Sequence, residues 1–549
     1  MSSLGNLFAD AQSALKSLCH RSALQSERTG RLQRLKLAYP SINPLCTDAM
    51  SSLSFHNAHR HDRRRFRSLL WLGLAVLLIL GGCATRPINP SIKQADPATG
   101  YRFDTRPDRG TNKDNLVILA FSGGGTRAAA FSYGVLEFLK NTMATRPDGT
   151  TGTLLGEVDV ITGVSGGSFT ALAYGLYGDK LFDLYEKGFL KRNIQGEIIS
   201  RVLNPTYWPE LSSAGWGRSE LAAQLYDEVL FHGATFGDLD RGNGPMILTS
   251  ATEISTGSRF VFSQRLFDVI CSDLDAVPLS RAAAASSAVP VVLSTITLNN
   301  YGGTCDRKPP AWIGMFLDTD NPPRPAARML RSLRAEEDYA DSVHRPYLHL
   351  VDGGVSDNVA MRTVLDTMET LEALRAAGKK TRLDNTKRII VIVVNSLSSP
   401  KTDWDETERS PGMLNILLKA AGTPIDQYSY EAVELLKDTA AQWRTMALIR
   451  NSVAMKTNKD QVIAAALRVP DAEIYTIDVS FPKLKDVAER DYLNQQPTSF
   501  TLPDEAVDRL RAAAGTILSE SPEFHRLLKD VGASLIPAPG TNAQTTTQK

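Results

Sequence analysis

The apolar residues of the chain from residue 113 onwards fall into two alternating patterns. Short continuous apolar runs bounded by polar residues and glycines are typical of strands buried in a parallel sheet. We expect such strands over residues 116–121, 158–162, 246–250, 347–351, 389–394 and 474–479. Amphipathic spacing predicts helices over residues 128–141, 169–177, 279–287, 359–377, 425–449 and 504–518. Strands that alternate with helices indicate a layered α/β domain with a mostly parallel sheet.

The apolar pattern near the N-terminus is of a different kind. Five arginines between residues 60 and 67 precede the apolar run Leu69–Leu80, which is followed by Gly81-Gly82-Cys83. A basic region, a short apolar run and small residues are typical of a secretory signal. A helix that spans a bilayer needs about 20 residues. The shorter run therefore favours a signal peptide over a permanent membrane helix.

The end of this signal is similar to a known processing site. Leu80-Gly81-Gly82-Cys83 resembles the bacterial lipoprotein cleavage box, in which the cysteine is lipidated and becomes the new N-terminus. Acyl chains on Cys83 would hold the protein on a membrane without a helix; the alternative is a plain signal anchor with a chance cysteine. Ala84 follows in place of the aspartate associated with inner-membrane retention, so the resemblance implies the periplasmic side of the outer membrane.

These features predict the following organisation of the chain. Residues 1–49 are expected to be an unstructured leader or the product of a misassigned start codon, because Met50 lies just ahead of the basic cluster of the signal. The remaining parts are a signal peptide (50–82), a polar Pro-rich tether (83–112), the main α/β domain (113–400), a mainly helical C-terminal region with at least one strand, packed on the core (401–536), and a disordered polar tail (537–549).

Composition narrows the range of functions. The chain has 549 residues, of which 42% are hydrophobic and 22% charged, which excludes a wholly disordered or fibrous protein. The net charge of +1 gives no reason to expect nucleic acid as a partner. Neither zinc-type Cys/His spacing nor a phosphate-binding loop is present in the sequence, and we predict no cofactor.

Two cysteines, Cys271 and Cys305, follow the signal region. In an oxidising compartment such a pair can form one disulfide. The alternative is two buried thiols, and the sequence does not give the distance that decides between them.

The first candidate for chemistry is Ser165, in the run Gly163-Val164-Ser165-Gly166-Gly167. A G-x-S-x-G turn between a strand and a helix exposes the serine hydroxyl at a sharp corner. The N-terminus of the following helix favours negative charge that develops beside it. Placed after the strand at 158–162 and before an apolar helix, Ser165 is predicted to be a nucleophile rather than part of a packing turn.

A second glycine-rich turn, Gly123-Gly124-Gly125-Thr126-Arg127, also lies between a strand and a helix. Consecutive glycines let backbone N–H groups converge on one anion. One interpretation is an oxyanion hole; the other is a dinucleotide-binding turn, which requires an acidic residue at the end of a second strand about 20 residues on. Asp148 is at that spacing but follows no strand, so we favour the oxyanion hole.

The third element is Val351-Asp352-Gly353-Gly354. Asp352 ends an apolar strand, and open α/β sheets place ligands at the carboxyl ends of their strands. Ser165 and the glycine triplet are expected at such ends as well. Asp352 alone would be read as an ordinary Asp-Gly turn, so the prediction depends on the three elements converging.

The distribution of histidines suggests how the serine is activated. A serine hydrolase usually has a histidine base, but the region after the signal contains only His232, His344, His349 and His525. His349 lies inside the strand that leads to Asp352, and His525 lies in an amphipathic helix. Neither is placed where the Ser–Asp–His order of α/β hydrolases requires a base. We therefore predict a Ser165–Asp352 dyad.

Together these blocks resemble the patatin-like phospholipases. That family has the G-G-G-x-R turn as its oxyanion hole, G-x-S-x-G with the nucleophile and D-G-[GA] with the catalytic aspartate. The segment Ala285-Ser286-Ser287-Ala288-Val289-Pro290 looks like the family's A-S-x-A-x-P block, and all four blocks occur in the family's order over residues 115–365. Ala128 departs from the glycine that many members carry after the arginine.

The resemblance implies a patatin-like three-layer α/β/α fold and hydrolysis of acyl esters without a metal. Ser165 would attack the ester, Asp352 would take its proton and activate water, and Gly123, Gly124 and Gly125 would donate to the oxyanion. Arg127 would hold the glycine loop or bind an anionic head group, or be a surface-paired arginine. The implied partners are a phospholipid or other acyl-ester lipid and the membrane itself.

Two further interpretations stay open at the level of sequence. One is a membrane-tethered lipoprotein that keeps these turns but only binds lipid or a partner; the other is a thioesterase or peptidase on the same scaffold. The stretches 205–209, 211–216 and 301–310 are candidates for a lid or acyl groove, or ordinary loops.

Overall fold

The computed structural model describes a large part of the chain. The described residues are 86–103, 106, 114–145, 149–213, 215–290, 292–308, 313–314, 327–376, 379–380, 384–402, 404–456, 463, 472–531 and 535–536. The predicted leader, signal peptide, lipidation site Cys83 and C-terminal tail lie outside the described residues.

Within the described residues, the strands form one main sheet and two small ones. They are β1 (Gln94–Ala95), β2 (Asn115–Phe121), β3 (Met143–Thr145), β4 (Thr151–Thr153), β5 (Val160–Val164), β6 (Met246–Glu253), β7 (Ser258–Phe262), β8 (Ile296–Asn299), β9 (Asp306–Arg307), β10 (Tyr347–Val351), β11 (Arg388–Asn395), β12 (Glu473–Ser480) and β13 (Leu535–Ile536). The main sheet has eight strands in the order β12-β11-β2-β5-β6-β10-β8, with β7 paired to β6. The two small sheets are β1-β9 and β13-β3-β4.

The helices cover both faces of the main sheet. They are α1 (Thr126–Lys140), α2 (Gly166–Tyr177), α3 (Leu181–Tyr185), α4 (Ile194–Leu203), α5 (Trp208–Leu211), α6 (Arg218–Tyr226), α7 (Phe236–Arg241), α8 (Gln264–Val269), α9 (Leu279–Ser286), α10 (Ala327–Tyr339), α11 (Gly354–Asp357), α12 (Arg362–Ala376), α13 (Met413–Asn451), α14 (Val453–Lys456), α15 (Val487–Asn494), α16 (Asp504–Glu520) and α17 (Pro522–Asp530).

Alternation along the central strands produces two cores. In β2, Leu119 and Phe121 pack on the face that α1, α2 and α16 cover, whereas Ile118 and Ala120 pack on the face that α12 and α13 cover. Side chains of a strand point to opposite faces in turn, so a strand that is apolar at every position is buried on both sides. The predicted three-layer α/β/α fold with a mostly parallel sheet is confirmed.

Strand direction changes at β6. β12, β11, β2, β5 and β6 are parallel neighbours, but β10 is antiparallel to β6. β5 pairs with one edge of β6 and β7 with the other. Thr252 and Glu253 of β6 pair with both β7 and β10. Because a strand residue has one neighbour on each edge, β10 lies on the edge of β6 that β5 also occupies. β5 and β10 therefore run towards each other along one edge of β6, with Ala251 between their last paired residues.

The prediction of a tether over residues 83–112 is wrong for the part that the structure describes. Residues 86–103 pack on the domain: β1 pairs with β9, and Tyr101 is fully buried. The Tyr101 hydroxyl accepts a hydrogen bond from the Ile247 N–H at 2.7 Å. A polar, Pro-rich composition did not prevent docking, because the polar side chains themselves bind the domain: Asn89 donates to the Ser272 hydroxyl at 2.8 Å, and Arg102 forms an ion pair with Asp268.

Cys271 and Cys305 form a disulfide with Cα atoms 5.6 Å apart. The bond connects the end of α8 to the loop before β9. The Cys271 carbonyl also accepts a hydrogen bond from the Ile92 N–H at 2.9 Å. The disulfide is therefore part of the surface on which residues 86–103 dock.

Candidate active site

Ser165 lies between the last residue of β5 and the first residue of α2. Its φ of 48° is in the left-handed region, which is unfavourable for a residue with a side chain. Close backbone packing explains the glycines that follow. A Cβ on Gly166 would lie 2.0 Å from the Gly125 carbonyl oxygen, and one on Gly167 would lie 2.6 Å from the Ser122 carbonyl oxygen. The nucleophile turn is thus pressed against the glycine-rich loop.

The Ser165 hydroxyl donates a hydrogen bond to Oδ2 of Asp352 at 2.9 Å. The other carboxylate oxygen, Oδ1, accepts a hydrogen bond from the Gly354 N–H at 2.7 Å. Ser165 and Asp352 are only 5% and 8% exposed. Burial raises the pKa of Asp352 to about 6, although the hydrogen bonds from Gly354 and Ser165 oppose the rise.

The arrangement of β5 and β10 explains why these two residues meet. Val164 pairs with Ser250 and Val351 pairs with Thr252, so Ser165 and Asp352 each follow the last residue of a strand at the level of Ala251. The convergence that the sequence predicted is therefore present. The glycine-rich loop and Ser165 follow the carboxyl ends of the parallel neighbours β2 and β5, as expected. Asp352 reaches Ser165 differently, because β10 runs antiparallel and meets β5 end to end.

The glycine-rich loop differs from the prediction at its first residue. The Gly123 N–H donates to the Asn358 carbonyl at 2.8 Å, so it is not free for an oxyanion, and its assignment as a donor is corrected. Within the described part of the chain, the N–H groups of Gly124, Gly125 and Gly166 have no hydrogen-bond partner. These three donors belong to the two turns that are in contact.

The guanidinium of Arg127 is hydrogen-bonded within the protein. It donates to the carbonyls of Ser396 and Gln496, both at 2.7 Å, and to the Thr498 hydroxyl at 3.2 Å. The side chain is buried, and burial lowers its pKa to about 10. Of the roles considered for Arg127, the structure shows that of holding the glycine loop. Its place in the predicted oxyanion hole is corrected, because its hydrogen bonds are directed into the protein.

Two polar residues at the site had no predicted role. The Ser286 hydroxyl accepts a hydrogen bond from the Ser165 N–H at 2.8 Å. The Asn358 carbonyl fixes Gly123, and its side-chain oxygen would lie 2.4 Å from a Cβ on Gly123 and 2.9 Å from one on Gly354. Ser286 belongs to the A-S-x-A-x-P block, so the motif marked its position; no sequence signal marked Asn358.

None of the histidines in the described chain forms a hydrogen bond with Ser165 or the Asp352 carboxylate. Nδ1 of His349 pairs with the Thr297 hydroxyl at 3.0 Å, Nδ1 of His344 pairs with Asp341 at 2.7 Å, and Nε2 of His525 pairs with the Ser519 carbonyl at 2.8 Å. None of the hydrogen bonds made by Ser165 or Asp352 involves a histidine.

The stretches considered as a lid lie in different settings. Residues 205–211 form a short 3₁₀ turn and α5, where Trp208 is 48% exposed. Residues 301–308 contact the N-terminal segment instead: the Tyr301 hydroxyl donates to the Asn89 carbonyl at 3.0 Å.

Among the described helices, none combines the length and apolarity that a membrane span requires. Within the same residues, no three metal-binding side chains are grouped together.

The chain was compared with known proteins. No curated protein matches its sequence. Among solved structures, human GIVD cytosolic phospholipase A2 is similar, with 14% identity and a TM-score of 0.38 over 78% of this chain and 61% of that one. The same human enzyme in complex with methyl gamma-linolenyl fluorophosphonate gives 13% identity and a TM-score of 0.37 over 76% of this chain and 59% of that one. VipD from Legionella pneumophila has 11% sequence identity and a TM-score of 0.22, over 82% of this chain and 76% of that one.

This chain therefore spans about three fifths of the length of the human enzyme. A family model gives the clearer result: the patatin-like phospholipase model matches residues 119–365, a range that contains Ser165, Asp352 and the glycine-rich loop. The resemblance noted from the motifs is confirmed, and the chain carries a patatin-like phospholipase domain over residues 119–365.

Proposed function

We propose that this protein is a serine acyl hydrolase that cleaves lipid esters with a Ser165–Asp352 dyad. The observation that carries the proposal is the hydrogen bond of 2.9 Å from the Ser165 hydroxyl to a buried carboxylate. A nucleophile paired with a base at this distance meets the geometric requirement for activation. The patatin-like phospholipase domain gives the class of substrate.

The reaction divides into two steps. Asp352 accepts the hydroxyl proton as Oγ of Ser165 attacks the ester carbonyl, and it returns that proton to the departing alcohol. A water molecule then attacks the acyl-serine ester. Asp352 removes a proton from this water and passes it to Oγ of Ser165 as the carboxylic acid departs. A carboxylate whose pKa is about 6 is a stronger base than an exposed aspartate and is still largely ionised at neutral pH.

Negative charge on the carbonyl oxygen needs donors that are free and fixed. We assign this role to the N–H groups of Gly124, Gly125 and Gly166, because the described structure leaves them without acceptors beside Ser165. Each donor of this kind contributes about 10²–10³-fold in rate. Gly166 also opens α2, so the helix dipole adds to the stabilisation of the oxyanion.

We also propose that the protein acts at a membrane surface, held by lipid on Cys83, on the periplasmic side of the outer membrane. The support is the cleavage box in the sequence, Leu80-Gly81-Gly82-Cys83. Cell fractionation of wild type and Cys83→Ser checks it: the variant should leave the membrane fraction. Equal membrane retention of the two proteins would rule out the anchor.

The hydrolase proposal is tested by comparing wild type, Ser165→Ala and Asp352→Asn on a short-chain nitrophenyl ester and on phospholipid vesicles. Both variants should lose about 10³-fold or more in kcat, while Ser519→Ala, at an exposed position of α16, should match the wild type. Equal activity in all four proteins would leave only a lipid-binding role. Activity on a thioester but not on oxygen esters would instead indicate a thioesterase.

A further inference from the structure

Ser286, the last residue of α9, makes three hydrogen bonds to three different segments of the site. Its hydroxyl accepts a hydrogen bond from the Ser165 N–H at 2.8 Å and donates one to the Ser250 carbonyl at 2.7 Å. Its own carbonyl accepts one from the Gly353 N–H at 3.0 Å. The residue is fully buried. One serine thus connects the nucleophile turn at Ser165, strand β6 and the turn that follows Asp352.

The bond to Ser165 is made at a strained position. A non-glycine residue with positive φ is strained, and this conformation persists only where neighbouring contacts fix it. Ser165 has already left β5, so its N–H has no acceptor from the sheet. The Ser286 hydroxyl supplies that acceptor and is itself fixed by the Ser250 carbonyl.

The bond to Gly353 acts on the other half of the dyad. Gly353 follows Asp352 directly, and the next residue of the same turn donates to the carboxylate. The Asp352 N–H is held by the Ala288 carbonyl at 3.0 Å, two residues beyond Ser286. The end of α9 therefore fixes the position of Asp352 as well as the orientation of Ser165.

We propose that Ser286 is a positioning residue whose hydroxyl sets the distance between the Ser165 nucleophile and the Asp352 base. The proposal rests on the hydrolase function proposed above. Ser286 takes no proton and contacts no substrate. It acts by keeping the two reacting groups within hydrogen-bond distance before substrate arrives.

The neighbouring residue offers a matched control. Ser287 is equally buried, but its hydroxyl donates to the Ala283 carbonyl at 2.8 Å, one turn back along the chain. Ser286→Ala and Ser287→Ala each remove one buried hydroxyl from the same place in the fold. Only the first removes an acceptor from the nucleophile turn.

The two variants are compared with wild type on the nitrophenyl ester. Ser286→Ala should lower kcat by about 10–100-fold, the size expected when reacting groups are misplaced by an ångström, with KM within twofold. Ser287→Ala should keep both constants while losing a similar amount of thermal stability. Ser286→Thr, which keeps the hydroxyl, should recover at least half of the loss on a logarithmic scale. Equal kcat in Ser286→Ala and Ser287→Ala would overturn the proposal.

A second measurement needs no turnover, so it separates this proposal from the hydrolase function. Crystal structures of wild type and Ser286→Ala should show the distance from Oγ of Ser165 to Oδ2 of Asp352 lengthening from 2.9 Å to beyond hydrogen-bond range. An unchanged distance and an unchanged Ser165 φ would overturn the positioning role, even in an active enzyme. Lengthening in a protein that hydrolyses no ester would support the positioning role and reject the hydrolase.

Discussion

Two buried aspartates, Asp352 after β10 and Asp357 at the end of α11, are held in different ways. Asp357 accepts hydrogen bonds from the Met361 and Arg362 N–H groups and has Arg259 at 3.9 Å. Asp352 has one backbone donor and the Ser165 hydroxyl, and no positive charge contributes to its pKa. Burial raises the pKa of both carboxyls. At Asp352 no nearby cation offsets the cost of a buried charge, and burial makes this carboxylate a base near neutral pH.

The pKa of Asp352 predicts the pH dependence of the reaction. The ionised carboxylate is the active form, so kcat/KM for a neutral ester should rise about tenfold per pH unit below pH 6 and level off above it. The profile is measured between pH 4.5 and 8, with circular dichroism at each pH to show that the fold is intact. A rate that is constant across pH 6, or that falls as pH rises, would contradict the assignment of Asp352 as base.

At this scale the sequence could identify Ser165 and Asp352, because each belongs to a local motif with its own turn glycines. It could not show which N–H groups are free. The Gly123 N–H donates to the carbonyl of Asn358, which lies in a distant part of the chain. Hydrogen bonds between segments far apart in sequence depend on tertiary packing, and no local pattern records them.

At the scale of strands, the sequence predicted where β5, β6 and β10 lie but not the direction of β10. An apolar run of five residues reads the same in a parallel and an antiparallel strand. Here the direction decides how the site is built, since an antiparallel β10 on the β5 edge of β6 brings Asp352 to Ser165 end to end.

The glycine-rich loop is held by a segment outside the matched family region. The Thr126 N–H donates to the Ser499 carbonyl at 2.8 Å, and a Cβ on Gly125 would lie 2.3 Å from the same oxygen. Arg127 binds Gln496 and Thr498 of this segment. The loop that we assign to the oxyanion thus depends on the chain between α15 and α16.

Replacing Arg127 distinguishes a role in holding the loop from one in binding substrate. Lysine keeps the charge but cannot make the three hydrogen bonds of the guanidinium, and each buried carbonyl left without a donor costs about 1–3 kcal/mol. Arg127→Lys should lower kcat at least about tenfold, equally on a neutral nitrophenyl ester and on anionic phospholipid vesicles. The control is Arg192→Lys at a surface ion pair. A loss confined to the anionic lipid would show that Arg127 binds a head group.

At the scale of the whole molecule, the folded unit is larger than residues 119–365. β11 lies between β2 and β12 in the main sheet, so part of the sheet comes from chain beyond the matched region. Residues 86–103, which precede the matched region in sequence, pack on the domain through β1 and Tyr101. The sequence predicted these strands from their apolar runs. It did not predict the N-terminal contact, because a segment held by one buried aromatic ring, a two-residue strand and scattered side-chain hydrogen bonds has no periodicity to detect.

Tyr101 provides the test of whether this N-terminal segment belongs to the folded unit. Its ring is fully buried, packs edge-on against Phe236 with ring centroids 5.9 Å apart, and places its hydroxyl on the Ile247 N–H at the start of β6. Tyr101→Ala removes a large buried ring, so the free energy of unfolding should fall by about 3–5 kcal/mol.

The matched substitution is Tyr430→Ala, because Tyr430 is 64% exposed, and it should change the free energy of unfolding by less than about 0.5 kcal/mol. Denaturant unfolding of wild type and both variants measures the two effects under the same conditions. If Tyr101→Ala unfolds at the same denaturant concentration as Tyr430→Ala, residues 86–103 behave as the tether that their composition suggested. A loss for Tyr101→Ala alone places the start of the folded unit at least 18 residues ahead of the family match, since residue 101 precedes residue 119 by that number.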